Sequence, residues 1–230
     1  MTKFWCLVVL LVVGCGASRA DDNVEEPPAI SYNLMTFYTL FNGQFSDEAE
    51  VASYQSSDAS DPDKPFLSVI KSMPVEIPAL EQAVTYLYEQ YFNGMLRRRV
   101  VCVIWEDSNG QIFIQPYNIT SPPNDMSQPF SIDQVKKLTA SDLTTRDECK
   151  IWVVKVDDVT YKTFWPDCTV HDHGIVPAYD LTWTCNSMVA ITRNQNQLEY
   201  IPVPIIHIRQ GPRFPWLSAL WREDFKDPCQ

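Results

Sequence analysis

Glycine is scarce in this chain, with 7 among 230 residues. There is no Gly-x-Ser-x-Gly turn to lift a serine nucleophile out of a sheet. Nor is there a glycine-rich loop whose backbone could cradle a phosphate. Cys-x-x-Cys is missing too, which excludes a zinc knuckle and a thioredoxin-type redox motif. Basic residues are in deficit, 18 Lys and Arg against 29 Asp and Glu, for a net charge of −11. Binding to a phosphate backbone needs a basic face, so nucleic acid is excluded as a partner, while cations and basic partners remain compatible. Past the first residues no apolar run is long enough to cross a membrane, for which about 20 residues are needed. No internal repeat or low-complexity tract divides the chain.

What is present at the start is a secretory pattern. Lys3 precedes the unbroken apolar run Phe4 to Val13, and Ser18-Arg19-Ala20 supplies small residues for a cut ahead of Asp21. A lipobox-like Val12-Val13-Gly14-Cys15 is the competing reading of the same stretch. The expectation is a signal peptide over 1–20, a flexible acidic lead-in over 21–30, and one domain over 31–230, secreted to the extracellular space. Five cysteines then remain: Cys102, Cys149, Cys168, Cys185 and Cys229. In an oxidising compartment several of these pair, and the odd number leaves one over. Asn118-Ile119-Thr120 is an acceptor sequon for a surface glycan at Asn118.

Leu34, Phe37, Tyr38 and Phe41 fall at helical spacing, and Asn42-Gly43 ends that helix. Ser46-Asp47-Glu48 opens a second, and Ser131-x-x-Gln134 forms a capping box for a third over 131–138. The rest reads as strands: 66–73, 84–92, 99–105, 111–117, 150–156, 159–165, 181–192 and 198–208. Turns are expected at Asn93-Gly94, Glu106 to Gly110, Asp157-Asp158 and Asn194 to Asn196. Hairpins at short spacing without βαβ alternation predict a mainly β fold, a single antiparallel, calyx-like β-barrel meander with a few peripheral helices.

The stretch Tyr86 to Val101 carries the sharpest chemistry. Two strand-like runs flank Asn93-Gly94, yet they hold Glu89, Gln90, Arg97 and Arg99 among apolar neighbours. Such groups are costly to bury unless paired or facing a ligand. Arg97 and Arg99, two apart, are expected on one side, where they could grip ligand carboxylates with bidentate hydrogen bonds. A structural salt bridge with Glu89 is the alternative. Tyr86 and Tyr88 alternate with Leu87 and Glu89 and could line a pocket for a flat ligand, or simply form a half-buried strand face. Cys149 and Cys168 flank the 150–165 hairpin and are expected to bridge its ends. Cys102 reads as a buried small hydrophobe or a second disulfide partner, and Cys229 as a partner for Cys185 or for another chain. His171-Asp172-His173 offers metal-competent ligands, but only His207 could join them from a distance, so the loop is read as solvated and no metal is expected.

With Glu89-Gln90 followed by Arg97-Arg98-Arg99-Val100, the chain resembles the phycobiliprotein chromophore lyases of the CpcT/CpeT type, as a divergent, exported member. The likeness runs roughly from Leu34 to Ile191, through Asn42-Gly-Gln-Phe-Ser, a Pro-Tyr-Asn loop and a Cys149-centred strand, and fades beyond. It implies an antiparallel barrel that binds a linear tetrapyrrole without a required cofactor. The ligand-binding residues would be Tyr88, Glu89, Arg97 and Arg99. In a genuine lyase the bilin is delivered to a cysteine of a phycobiliprotein. A barrel keeping only the binding step for a carboxylated apolar small molecule is the reading preferred here. An acidic extracellular-matrix or biomineral-associated protein that binds cations is a further alternative.

Overall fold

A computed structural model describes residues 30–55, 67–80, 84–120, 130–165, 168, 177–194, 204–217 and 224–230. Its first element is helix α1 (Tyr32–Phe41), capped by the Ser31 side chain, which accepts from the Leu34 backbone N–H. Asn42 ends the helix in extended backbone and leads into strand β1 (Gly43–Ser46), an element the sequence pattern had not suggested. Helix α2 (Glu48–Gln55) follows. Strands β2 (Ser68–Val75), β3 (Val84–Phe92), β4 (Met95–Glu106) and β5 (Ile112–Ile119) come next as antiparallel neighbours. Asn93 (φ 49) and Gly94 (φ 78) both take left-handed backbone at the β3–β4 turn, as a tight hairpin requires.

Helix α3 (Ile132–Val135) carries the full capping box of Ser131 and Gln134, and it is shorter than the expected 131–138. The short strand β6 (Leu143–Thr144) precedes β7 (Ile151–Lys155), β8 (Tyr161–Phe164), β9 (Pro177–Trp183), β10 (Ser187–Asn194) and β11 (Ile205–Gln210). The ring runs β4-β3-β2-β1-β11-β10-β9-β8-β7-β5 and closes through the β4–β5 pairing, with β6 attached to β5 outside the ring. This is a closed ten-stranded antiparallel barrel.

One expected strand is in fact two. The 181–192 run breaks after Trp183, where Thr184 N–H donates to the Ser187 carbonyl and the Thr184 and Ser187 hydroxyls lie 2.9 Å apart. Hydroxyl side chains close this turn without glycine or proline, so the usual signal was missing. β10 pairs onward with β11, from Ser187↔Ile208 to Ala190↔Ile205.

The core explains the plan. Val84, Tyr86, Val100, Cys102, Ile104, Ile112, Ile114, Tyr161, Trp183 and Met188 point inward and pack on α1. Eight of the ten α1 residues are buried, so α1 is not peripheral. Phe41 meets Tyr86 of β3 and Trp183 of β9, which lie on opposite sides of the ring. Tyr38 Oη donates to the Ile104 carbonyl, and Tyr86 Oη to the Tyr38 carbonyl. The helix therefore plugs the end of the barrel where β3 and β8 begin and β4 and β9 finish. A second apolar cluster lies on the outer wall, where Val75, Leu87, Val101 and Ile119 are covered by Val135, Leu138 and Leu143.

Candidate ligand site

Strand pleating decides which of the charged residues face the barrel interior. On β4 the inward set is Val100, Cys102 and Ile104, whereas Val101 belongs to the outer cluster. Arg99 and its cross-strand partner Glu89 follow the outer parity. Their side chains meet there, Arg99 Nε donating to Glu89 Oε1 at 2.8 Å, with the residues only 1% and 5% exposed. Tyr91 Oη donates to Glu89 Oε2 at 2.7 Å, and the Arg99 guanidinium lies 5.1 Å from the Phe130 ring centre. This is a sealed ion pair under the segment that carries α3.

Arg97 does not share that position. The β3–β4 register shifts between Gln90 and Tyr91, leaving Arg97 as the extra residue of a bulge, exposed and beside the Met95 sulfur. The expectation that Arg97 and Arg99 act from one side is corrected by this bulge. Tyr88 is half-buried on the inward face, within 6.4 Å of the Phe41 ring.

The residue that sequence reasoning passed over is Arg98. Paired with Gln90, it follows the inward parity, and its guanidinium stands 5.5 Å from the ring centre of Trp165 at the end of β8. Among the described residues no carboxylate pairs with it. Its charge reaches the buried Cys102 thiol, whose pKa burial pushes up to about 12 with Arg98 opposing the rise. Tyr88, Gln90, Arg98, Trp165, Leu181 and Ala190 share the inward parity and are all partly exposed.

Among the described residues, two further inward groups, Ser72 Oγ and His207 Nδ1, are buried without a hydrogen-bond partner. His207 Nε2 lies 3.1 Å from Ser68 Oγ, and Asp47 Oδ1 accepts from the Ser68 backbone N–H at 2.7 Å. Burial pulls the His207 pKa down to about 4, with the Ile205 backbone opposing, and holds the ring neutral. Burial likewise raises the Asp47 carboxyl, with the Ser68 backbone N–H opposing.

The cysteines resolve into two bonded pairs. Cys149 and Cys168 have Cα atoms 4.3 Å apart, and Cys185 and Cys229 have Cα atoms 5.4 Å apart. Cys102 is left as a buried free thiol. Asn118 is exposed on β5. His171-Asp172-His173 lies outside the described residues, as does the predicted signal peptide. No group of three or more His, Cys, Asp or Glu side chains among the described residues is placed to hold a metal ion.

No protein-family model matches the sequence, and no curated protein matches it. Among solved structures, the chain is similar to the T-type phycobiliprotein lyase CpeT from Prochlorococcus phage P-HM1. The TM-score is 0.50 at 12% sequence identity, covering 79% of this chain and 100% of the lyase chain. At that identity the likeness is one of fold, a distant lyase-like barrel.

Proposed function

We propose that this chain is a lyase-like carrier barrel that binds a carboxylated apolar small molecule, a linear tetrapyrrole being the first candidate. The ligand would occupy the half of the interior opposite the α1 plug. The observation that carries the reading is Arg98, an inward, partly buried guanidinium over an aromatic ring with no carboxylate paired to it among the described residues. A ligand carboxylate supplies the missing counter-charge in bidentate geometry. Tyr88, Leu181 and Ala190 offer apolar area to the ligand body, and Gln90 a neutral hydrogen-bonding group. Arg99 and Glu89 then support the wall rather than touch the ligand, and Arg97 stays in solvent. The fold shared with a phycobiliprotein lyase supports a bilin as the ligand to try first. Two disulfides support an exported chain, since such bonds persist in oxidising compartments.

The test is an absorbance titration of the purified protein with biliverdin, using the wild type, Arg98→Gln and Arg97→Gln. Saturable binding is expected, weakened by roughly ten-fold or more in Arg98→Gln, since a hydrogen bond to a charged group contributes about 1.5–3 kcal/mol. Arg97→Gln should bind like the wild type. A folded wild-type protein that takes up no biliverdin would sink the bilin assignment. Transfer to a cysteine would then be sought only for a protein that binds.

A further inference from the structure

A buried donor or acceptor left alone costs free energy, so native folds rarely keep one without giving it something to bind. Among the described residues two side chains carry such atoms, Ser72 Oγ and His207 Nδ1. Ser72 is 0% exposed and His207 2%. Both belong to the inner wall. Ser72 shares the face of Ile70 on β2, and His207 stands opposite the inward Met188.

Cross-strand register fixes where they sit relative to Arg98. Arg98 faces Gln90 and Gln90 faces Ile70, a row that crosses β4, β3 and β2. One inward step toward the plugged end is the row Val100, Tyr88, Ser72. One inward step the other way, Ser68 faces Phe92, and Ser68 Oγ lies 3.1 Å from His207 Nε2. Such a step is two residues, about 7 Å along a strand. The Arg98 row is thus flanked on each side by a buried inner-wall atom without a partner.

We infer that Ser72 and His207 are hydrogen-bonding subsites for neutral groups on the ligand whose carboxylate pairs with Arg98. They rest on the reading of Arg98 as the carboxylate anchor. The barrel then takes an apolar body that carries donors and acceptors along its length, rather than a plain fatty acid. A serine hydroxyl both donates and accepts. Burial holds His207 neutral, so one ring nitrogen donates and the other accepts. The Ser68 hydroxyl serves Nε2 in either role, which leaves Nδ1 free to take whichever role the ligand requires. A lactam or pyrrole N–H and a lactam carbonyl match these atoms, whereas an alkyl chain leaves both unsatisfied. A second carboxylate fits neither subsite. Asp47, bound to the Ser68 backbone N–H, puts a carboxyl rather than a cation near His207. Arg209, which packs against Gly43 across from Ser72, donates from each of its three guanidinium nitrogens to a backbone carbonyl.

The experiment is isothermal titration calorimetry of the purified protein with biliverdin and with palmitate, in wild type, Ser72→Ala, His207→Gln and Arg98→Gln. Glutamine offers Ser68 an amide nitrogen in place of Nε2 and removes the Nδ1 position. Wild type should prefer biliverdin. Biliverdin affinity is expected to fall roughly three- to ten-fold in Ser72→Ala and in His207→Gln, the worth of one hydrogen bond each. Palmitate has no polar group for either atom and should bind these two variants as it binds wild type, while Arg98→Gln should weaken both ligands. Without ligand, Ser72→Ala should melt no lower than wild type, since its hydroxyl has no partner to lose. Wild type that binds neither ligand overturns the Arg98 reading and the subsites together. Unchanged biliverdin affinity in either Ser72→Ala or His207→Gln, or an equal loss for palmitate, overturns the subsites and leaves Arg98 standing. A lower melting temperature for ligand-free Ser72→Ala overturns them equally, because the hydroxyl is then already partnered.

Discussion

Glu89 and Arg99 form the most consequential single pair in the molecule, because both are sealed from water and each satisfies the other. Removing one partner strands a buried charge, at a cost of about 3–5 kcal/mol. Arg99→Met should therefore lower the urea midpoint strongly, and Glu89→Leu combined with Arg99→Met should recover most of the loss. His207 makes a second statement at this scale. Its pKa is about 4 in the fold against an ordinary 6.5, so the unfolded chain binds the proton first as pH falls. The stability gained by keeping His207 neutral is complete above pH 6.5 and is lost progressively down to about pH 4. A His207→Gln variant should show a flatter stability profile across that window in denaturant titrations at stepped pH. The charged cluster was legible in the sequence, but its sidedness was not. Val100 to Ile104 is apolar at every position because both faces of β4 are covered, so no alternation marks inside from outside. Without that marker the bulge at Arg97 was invisible, and Arg98, flanked by two more conspicuous arginines, was passed over.

Among the elements, α1 shows how a helix can be read correctly and placed wrongly. Its apolar spacing gave its extent, yet an amphipathic stripe implies one wet face, and this helix has almost none. Thr36 and Thr39 are buried with the rest, Thr39 Oγ1 returning its hydrogen bond to the Met35 carbonyl. A threonine so satisfied can sit in a core, which is why polar letters in the pattern did not signal solvent. The C-terminal turn of the helix is also bound from outside. Arg209 donates to the Leu40 and Asn42 carbonyls and Arg213 to the Thr39 carbonyl, which supplies partners for carbonyls left open at a helix end. The plug should therefore unfold with the barrel rather than before it. Phe41→Ala, which removes a ring packed on Tyr86 and Trp183, is expected to cost about 3–5 kcal/mol in guanidinium denaturation. Loss of tryptophan fluorescence and loss of helical circular dichroism should remain a single coincident transition. Separate transitions would mean that α1 is an independent lid.

For the whole molecule, closure of the ring and the covalent ties divide the work. The hairpin meander made much of the barrel legible, since pairs such as β3–β4, β4–β5 and β7–β8 are local in sequence, but closure depends on β1 bridging β2 and β11 and on β5 pairing with β7, contacts with no local signature. The C-terminal tail reinforces the plugged end. Phe225 is buried against Tyr32, Tyr32 Oη donates to the Lys226 carbonyl, Arg213 pairs with Asp227 at 2.6 Å, and Cys229 is bonded to Cys185 beside the β9–β10 turn. The two disulfides close loops of different size, with sequence separations of 19 and 44 residues. In the chain-entropy model a larger loop restricts the unfolded chain more, giving about 3 kcal/mol for the first and about 4 kcal/mol for the second. Native packing should widen that gap, because freeing Cys229 also loosens the Phe225 and Asp227 contacts, whereas β7 and β8 keep their full ladder without Cys149–Cys168. Cys185→Ser/Cys229→Ser is thus expected to lower the melting temperature more than Cys149→Ser/Cys168→Ser, in calorimetry run without reductant. If the Cys149 pair proves the more costly to lose, the tail is not what secures the plug, and the burden falls on the arginines that hold the end of α1.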